Sequence, residues 1–321
     1  MKVRIPATSA NMGPGFDSFG LALQLYNEIE VERIEQGLVI TVDGEGSEYV
    51  PLDEQNIVFQ AIRYVFEKAG EEVPPLNIHI HNEVPITRGL GSSATAIVGG
   101  VLAANRLLND RYSQQRLLTF ASDLEGHPDN VSAAMLGGFV VSGQFAAGAA
   151  VLYKRFELPK EFTCVVAVPN FHLATSVSRN VLPEQVKFCD AVANIGAAGL
   201  LVAAVASGDM ELLRDSMRDL IHEPYRMPLV PGMEKAVRLA REAGAFGVAL
   251  SGAGPSVIAF CDENRMERIR AALFAGLAEA GTNCTTLVLK PDWNGASFVD
   301  EEKYRHSPAQ TSGFEKSVRI S

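Results

Sequence analysis

Pro85-Ile86-Thr87-Arg88-Gly89-Leu90-Gly91-Ser92-Ser93-Ala94-Thr95-Ala96 sets two glycines just ahead of two small hydroxyl residues. Upstream, residues 76–81 alternate apolar and polar side chains, the period of a strand. Downstream, residues 94–105 are apolar and rich in Ala and Val, the composition of a buried helix. A strand, a glycine loop and a helix start are the parts of an anion site. Glycines let the backbone approach a ligand closely, and the first N–H groups of the helix point at it. The plainer alternative is a sharp loop whose helix is capped by Ser92 or Ser93.

The chain has 321 residues, 47% of them hydrophobic, enough for two packed units each with a core. Its formal net charge of −10 disfavours nucleic acid or an anionic membrane surface as the main partner. Cys164, Cys189, Cys261 and Cys284 form no Cys-x-x-Cys pair, so thiols in a reducing compartment are expected. The six histidines show no metal-ligand spacing, although His79 and His81 share a strand face. No leader precedes the strand-like residues 3–5, so a cytoplasmic location is expected. Residues 131–153 carry no charge, but Gly137-Gly138 and Ser142-Gly143-Gln144 break them. A helix end followed by a hairpin explains that stretch better than a membrane span.

Read in order, residues 3–6 begin a strand that runs into a polar, glycine-containing loop at 6–17. Strands are expected at 21–26, 28–34 and 38–42, and helices at 57–68 and 114–124. The polar corner Glu125-Gly126-His127-Pro128-Asp129-Asn130 follows, with Asp129 or Asn130 as a possible helix cap. The pattern changes near Pro159, which divides the chain into units 1–158 and 159–299. The second unit predicts strands at 163–169, 246–250, 257–261 and 285–289, with helices at 184–206, 210–221, 233–243 and 265–280. Residues 300–321 read as a disordered tail.

Walker A, Gly-x-Gly-x-x-Gly and Gly-x-Ser-x-Gly patterns do not occur. Three separated loops remain: Pro6 to Asp17, Pro85 to Ala96 and Ser251-Gly252-Ala253-Gly254-Pro255-Ser256. In that order they resemble the GHMP kinases over roughly the first 290 residues, with Pro85 to Ala94 as the family's phosphate loop. Pro6 to Asp17 and Glu125 to Val131 are most similar to the homoserine kinase branch.

That resemblance implies an α+β fold in two domains, the first like ribosomal protein S5 domain 2 and the second ferredoxin-like, with the active site between them. It implies ATP held by Pro85, Ile86, Thr87, Arg88, Gly89, Leu90, Gly91, Ser92, Ser93, Ala94 and Thr95, and Mg²⁺ held by Ser93 and an acid. Counting by the family's spacing puts that acid near Thr119, which is no carboxylate, so Glu125 or Asp123 is expected instead. L-homoserine is the implied substrate, with Asn11, Asp17, His127, Arg179, Arg226 and Gly252 as its contacts. A planar guanidinium suits its carboxylate and Asp17 its ammonium. Asn130 and Arg179 are the expected catalytic groups. Asn130 cannot usefully accept a proton, which implies in-line transfer without a strong protein base; Asp129 is the weaker alternative base. A homodimer is plausible for the family. The alternatives are a GHMP kinase for another small alcohol, or a non-catalytic ligand sensor on the same fold, which would be expected to erode the phosphate loop.

Overall fold

The computed structural model describes residues 1–159 and 162–299, so the expected tail at 300–321 lies outside the described residues. A seven-stranded sheet organises the first unit. β1 (Lys2–Asn11), β2 (Gly15–Arg33), β4 (Leu76–Asn82) and β3 (Leu38–Gly44) lie in that spatial order. β5 (Phe139–Gly143) pairs with β2 and with β6 (Leu152–Phe156). Only β3 and β4 run parallel; the other pairs are antiparallel.

Two expectations change here. The strands read at 21–26 and 28–34 are one strand, β2, because its residues are hydrogen-bonded on both sides throughout the gap. The loop read at 6–17 is mostly strand: β1 runs on to Asn11, which pairs with Gly15, and leaves a tight turn at 12–14. Alternating burial along β2 sends Ile29 and Val31 inward and leaves Glu30 and Glu32 outside.

Four helices cover one face: α1 (Ile57–Ala69), α2 (Ser92–Leu107), α3 (Gln114–Glu125) and α4 (Asp129–Leu136). Asn56 caps α1 by accepting the Val58 N–H, and Ser113 caps α3 by accepting the Arg116 N–H. Ile5, Ile29, Ile78, Val98, Leu118 and Phe120 fill the core between the sheet and these helices. Residues 131–153 form the end of α4 and the β5–β6 hairpin.

The second unit has β7 (Thr163–Pro169), β8 (Gly247–Leu250), β9 (Val257–Cys261) and β10 (Cys284–Leu289) in the spatial order β10-β7-β9-β8. α9 (Met233–Glu242) precedes β8 and α10 (Met266–Ala278) precedes β10, giving the β-α-β-β-α-β arrangement of ferredoxin-like domains. Between β7 and α9 come α5 (Thr175–Asn180), α6 (Phe188–Ser207), α7 (Met210–Ser216) and α8 (Glu223–Arg226). α7 stops short of the expected 221, because the Asp219 carboxylate takes the N–H groups of His222 and Glu223 and turns the chain. Ser297–Phe298, which the division at 158/159 assigns to the second unit, pairs with β1 of the first sheet as β11.

The two units share one apolar cluster. Leu21, Leu23 and Phe139 of the first sheet meet Val166, Phe260 and Leu289 of the second, and Leu201, Ala204 and Val205 of α6 join them. α6 is long and apolar enough to cross a membrane, with a mean hydropathy of 1.8 over its best window. Its inner face is nevertheless built into this cluster, while Phe188, Val192 and Ile195 face outward.

One buried residue ties the first sheet to the expected phosphate loop. Asn27 on β2 accepts the N–H groups of Glu83 and Val84 and donates to the Thr95 hydroxyl at 2.8 Å. Replacing it with Ala strands two buried donors. Asn27→Ala should therefore cost about 1–3 kcal/mol, measured as a lower midpoint in urea unfolding.

Candidate active site

The loop between β4 and α2 is shaped by what surrounds its carbonyl groups. Those of Thr87, Arg88 and Leu90 accept N–H groups from Leu173, Ser256 and Thr8. The Gly89 carbonyl accepts the Ser251 hydroxyl at 2.6 Å. With the carbonyls turned into the protein, the N–H groups of the loop and of the α2 start are left for the cleft. Gly89 and Gly91 both have positive φ, at 79° and 72°. A Cβ on Gly89 would sit 2.2 Å from the Ser251 carbonyl oxygen, and one on Gly91 1.9 Å from Thr8 Oγ1. Only glycine fits at either position. Leu90, fully buried, plugs the loop into the cluster shared by the two units.

Capping by Ser92 or Ser93 does not occur. Gly91 occupies the cap position and no side chain bonds the helix start. Ser93 instead donates to Glu125 at 2.9 Å. Asp123, the other acid considered beside it, bonds Gln144, the Gly148 N–H and Tyr64 away from the cleft. Thr119 is buried and donates to the Gln115 carbonyl. Burial pushes the Glu125 carboxyl above its ordinary range, against the pull of His127 and Ser93. A hydroxyl and a carboxylate beside the helix start are hard oxygen donors of the kind Mg²⁺ takes.

Across the cleft the Asn11–Asp17 turn carries unusual backbone strain. Asn11, Met12 and Asp17 all have positive φ. Asn11 holds the turn, accepting the Asp17 N–H and donating to the Gly252 carbonyl at 2.8 Å. Asp17 forms a bidentate pair with Arg179, at 2.7 and 3.1 Å. Arg226 is 2% exposed; its guanidinium donates to the carbonyls of Ser178 and Gly252. Burial, and then Arg179 nearby, hold the Arg226 pKa below its usual value.

The polar corner completes the wall. Asp129 does not act as a cap, since Pro128 takes that position. Its Oδ1 accepts His127 Nδ1 at 2.5 Å and the Asn130 N–H at 2.6 Å. Asn130 accepts the Thr8 hydroxyl at 2.7 Å and turns its amide toward Asp129. Burial works against a charge on His127, but Asp129 outweighs it and lifts the pKa to about 9. One ligand atom from each of Asp17, His127 and Asp129 lies within 4.8 Å of the others.

One cleft is lined by residues from all three glycine loops and by Glu125, His127, Asp129, Asn130, Arg179 and Arg226. Beyond Ile86, sequence reasoning missed its far wall, where Tyr49, Val50, Pro51, Ile57 and Ile80 join Ile86 in an apolar surface. The Asn56 cap before α1 marks that segment, but nothing local marks it as a wall.

The sequence model of the GHMP kinases' N-terminal domain matches residues 56–138, and that of their C-terminal domain matches 201–278. A homoserine kinase from Moorella thermoacetica is 46% identical over 298 residues, covering 92% of this chain and 99% of its own. The chain belongs to the GHMP kinase family. A second relative of this GHMP kinase, a homoserine kinase from Caldicellulosiruptor bescii, is 43% identical and covers 92% of this chain and 96% of its own. The crystal structure of a homoserine kinase from Cytophaga hutchinsonii superposes with a TM-score of 0.84 at 31% identity, over 93% of this chain and 97% of its own. An L. major mevalonate kinase shares the fold, with a TM-score of 0.68 at 17% identity over 91% and 96%.

A charged His127 is held by Asp129, and that predicts a titration. Its imidazole carbons should show an NMR midpoint near 9, and Asp129→Asn should lower it. Because the folded pKa lies above the unfolded value of about 6.5, this pair's stabilisation is complete below that pH and is lost as pH rises through 9.

Proposed function

We propose that this GHMP kinase transfers the γ-phosphoryl group of ATP to the side-chain hydroxyl of L-homoserine, giving O-phospho-L-homoserine for threonine synthesis. The observation that carries this reading is the pairing of Asp17 with Arg179 beside buried Arg226, across the cleft from a glycine loop whose carbonyls from Thr87 to Leu90 are turned away. An α-amino acid brings its own carboxylate and ammonium. It can slip between Asp17 and Arg179, so that each side chain keeps an opposite charge. Arg226 then gives the carboxylate a second cation.

The apolar wall of Tyr49, Val50, Ile57 and Ile86 supports a place for the adenine base, with the phosphates running toward Gly89 and Ser93. Ser93 and Glu125 would hold Mg²⁺, which when bound offsets charge on the phosphate oxygens. Loop N–H groups and the α2 start serve the same end. Asn11 and Gly252 fix the substrate loop. His127, charged at neutral pH, keeps Nε2–H to donate to a substrate oxygen.

Asn130 lacks a basic atom, and Asp129 Oδ1 already accepts three donors. The reaction therefore rests on holding the hydroxyl in line with the γ-phosphate rather than on a strong protein base. A cytoplasmic setting fits the four free cysteines. The outward apolar face of α6 supports the homodimer that is plausible for the family.

Two measurements test this reading. With ATP and Mg²⁺, L-homoserine should be phosphorylated far faster than mevalonate, galactose or shikimate; comparable rates would refute the substrate. Arg226→Leu should raise the KM for homoserine at least about tenfold, as expected for a charge-assisted contact of about 1.5–3 kcal/mol, while the KM for ATP stays put.

A further inference from the structure

Phe16 lies in the strained Asn11–Asp17 turn, and both arginines of the proposed substrate end lie against its ring. The guanidinium carbon of Arg226 lies 5.0 Å from its ring centroid and that of Arg179 5.6 Å. His222 stacks on it at 5.1 Å, with 27° between the ring planes.

Two guanidiniums side by side repel each other, and Arg179 is one of the reasons the Arg226 pKa is depressed. The face of an aromatic ring carries negative charge density and attracts cations within about 6 Å. Asp17 already pairs with Arg179, and Phe16 offsets a further part of that repulsion without adding a second carboxylate at the fork, which would compete with an anionic substrate. The ring is itself braced. His222 is fully buried and its Nε2–H donates to the Gly13 carbonyl at 2.8 Å, in the same turn as Phe16. Asp219 accepts the backbone N–H of His222 and fixes where it begins α8.

We propose that Phe16 is a positioning residue that sets substrate selectivity: its ring holds Arg179 and Arg226 as a two-pronged fork for a carboxylate. This rests on the amino-acid substrate proposed above. It adds that discrimination for the carboxylate resides partly in an aromatic side chain that the substrate need not touch. Without the ring the two cations spread apart, and the fork loses its grip on a carboxylate while the phosphate end is untouched.

The test compares L-homoserine with 3-aminopropan-1-ol, which keeps the ammonium and hydroxyl but has no carboxylate. In Phe16→Leu the KM for L-homoserine should rise about tenfold, the scale of two partly desolvated cation–π contacts. The preference over 3-aminopropan-1-ol should fall by the same factor, with the KM for ATP unchanged. Placing pentafluorophenylalanine at position 16 keeps the ring's volume and inverts its charge distribution, so it should reproduce the loss. That variant serves as the sole test if Phe16→Leu does not fold. Wild-type selectivity in the pentafluorophenylalanine protein would overturn the proposal, since packing alone would then explain Phe16. An equal loss on both substrates would overturn it too. Turnover of L-homoserine by the wild-type chain tests the activity itself and is read separately from the variants.

Discussion

The phosphate loop works only if its backbone hides its carbonyls and shows its N–H groups. An exposed carbonyl would repel the ATP phosphates proposed to bind there. Here four successive carbonyls, Thr87 to Leu90, are drawn away by β1, by the chain after β7 and by the third glycine motif. Two of those three elements belong to the second unit. The loop's geometry is therefore a property of the assembled molecule, and the shared apolar cluster around Leu90 holds that assembly together. Glycines at 89 and 91 follow from the same crowding. They stand where another backbone or side chain already fills the Cβ position.

The proposed substrate end is built on a contrast between a partly solvated ion pair and a buried cation. Arg179 and Asp17 form a bidentate pair but are each about one-third exposed, so water screens it. Opening it to admit a zwitterion costs little. Arg226 is buried, where an unpaired charge would cost several kcal/mol. It is kept by two carbonyl acceptors and by the field of Asp17, Asp219 and Asp129. Binding in the proposed reaction thus reorganises one side of the fork and leaves the other in place.

Much of this was legible in the sequence because glycine-rich turns and helix periodicity are local signals. The second and third loops, the strand before the expected phosphate loop and the helix after it could be read directly, whereas the first loop proved to be mostly strand. The long β2 could not: Asn27 puts a polar side chain at a buried position of the strand, so it looked like a strand end. Asn27 itself is a long-range brace, and only the fold reveals that its partners are Glu83, Val84 and Thr95. The choice between Asp123 and Glu125 was closer to hand. Residues two apart on a helix face opposite ways, and the buried stripe through Leu118, Ala121 and Ser122 shows where α3 meets its neighbours. Which of the two faces Ser93 still depends on how α3 packs against α2.

The corner at 127–130 explains why the site is rich in donors yet poor in bases. Asp129 is the one carboxylate there, and it is almost fully buried. One of its oxygens is spent on His127 and on two N–H groups of Asn130. That arrangement makes the imidazole a cation and fixes Asn130 against Thr8, the residue that also grips the phosphate loop. Asp129 thus acts first as an organiser of its neighbours. In phosphoryl transfer the nucleophile's proton is lost late and charge sits mainly on the phosphoryl oxygens. A corner that presents ordered cationic and amide donors suits that demand.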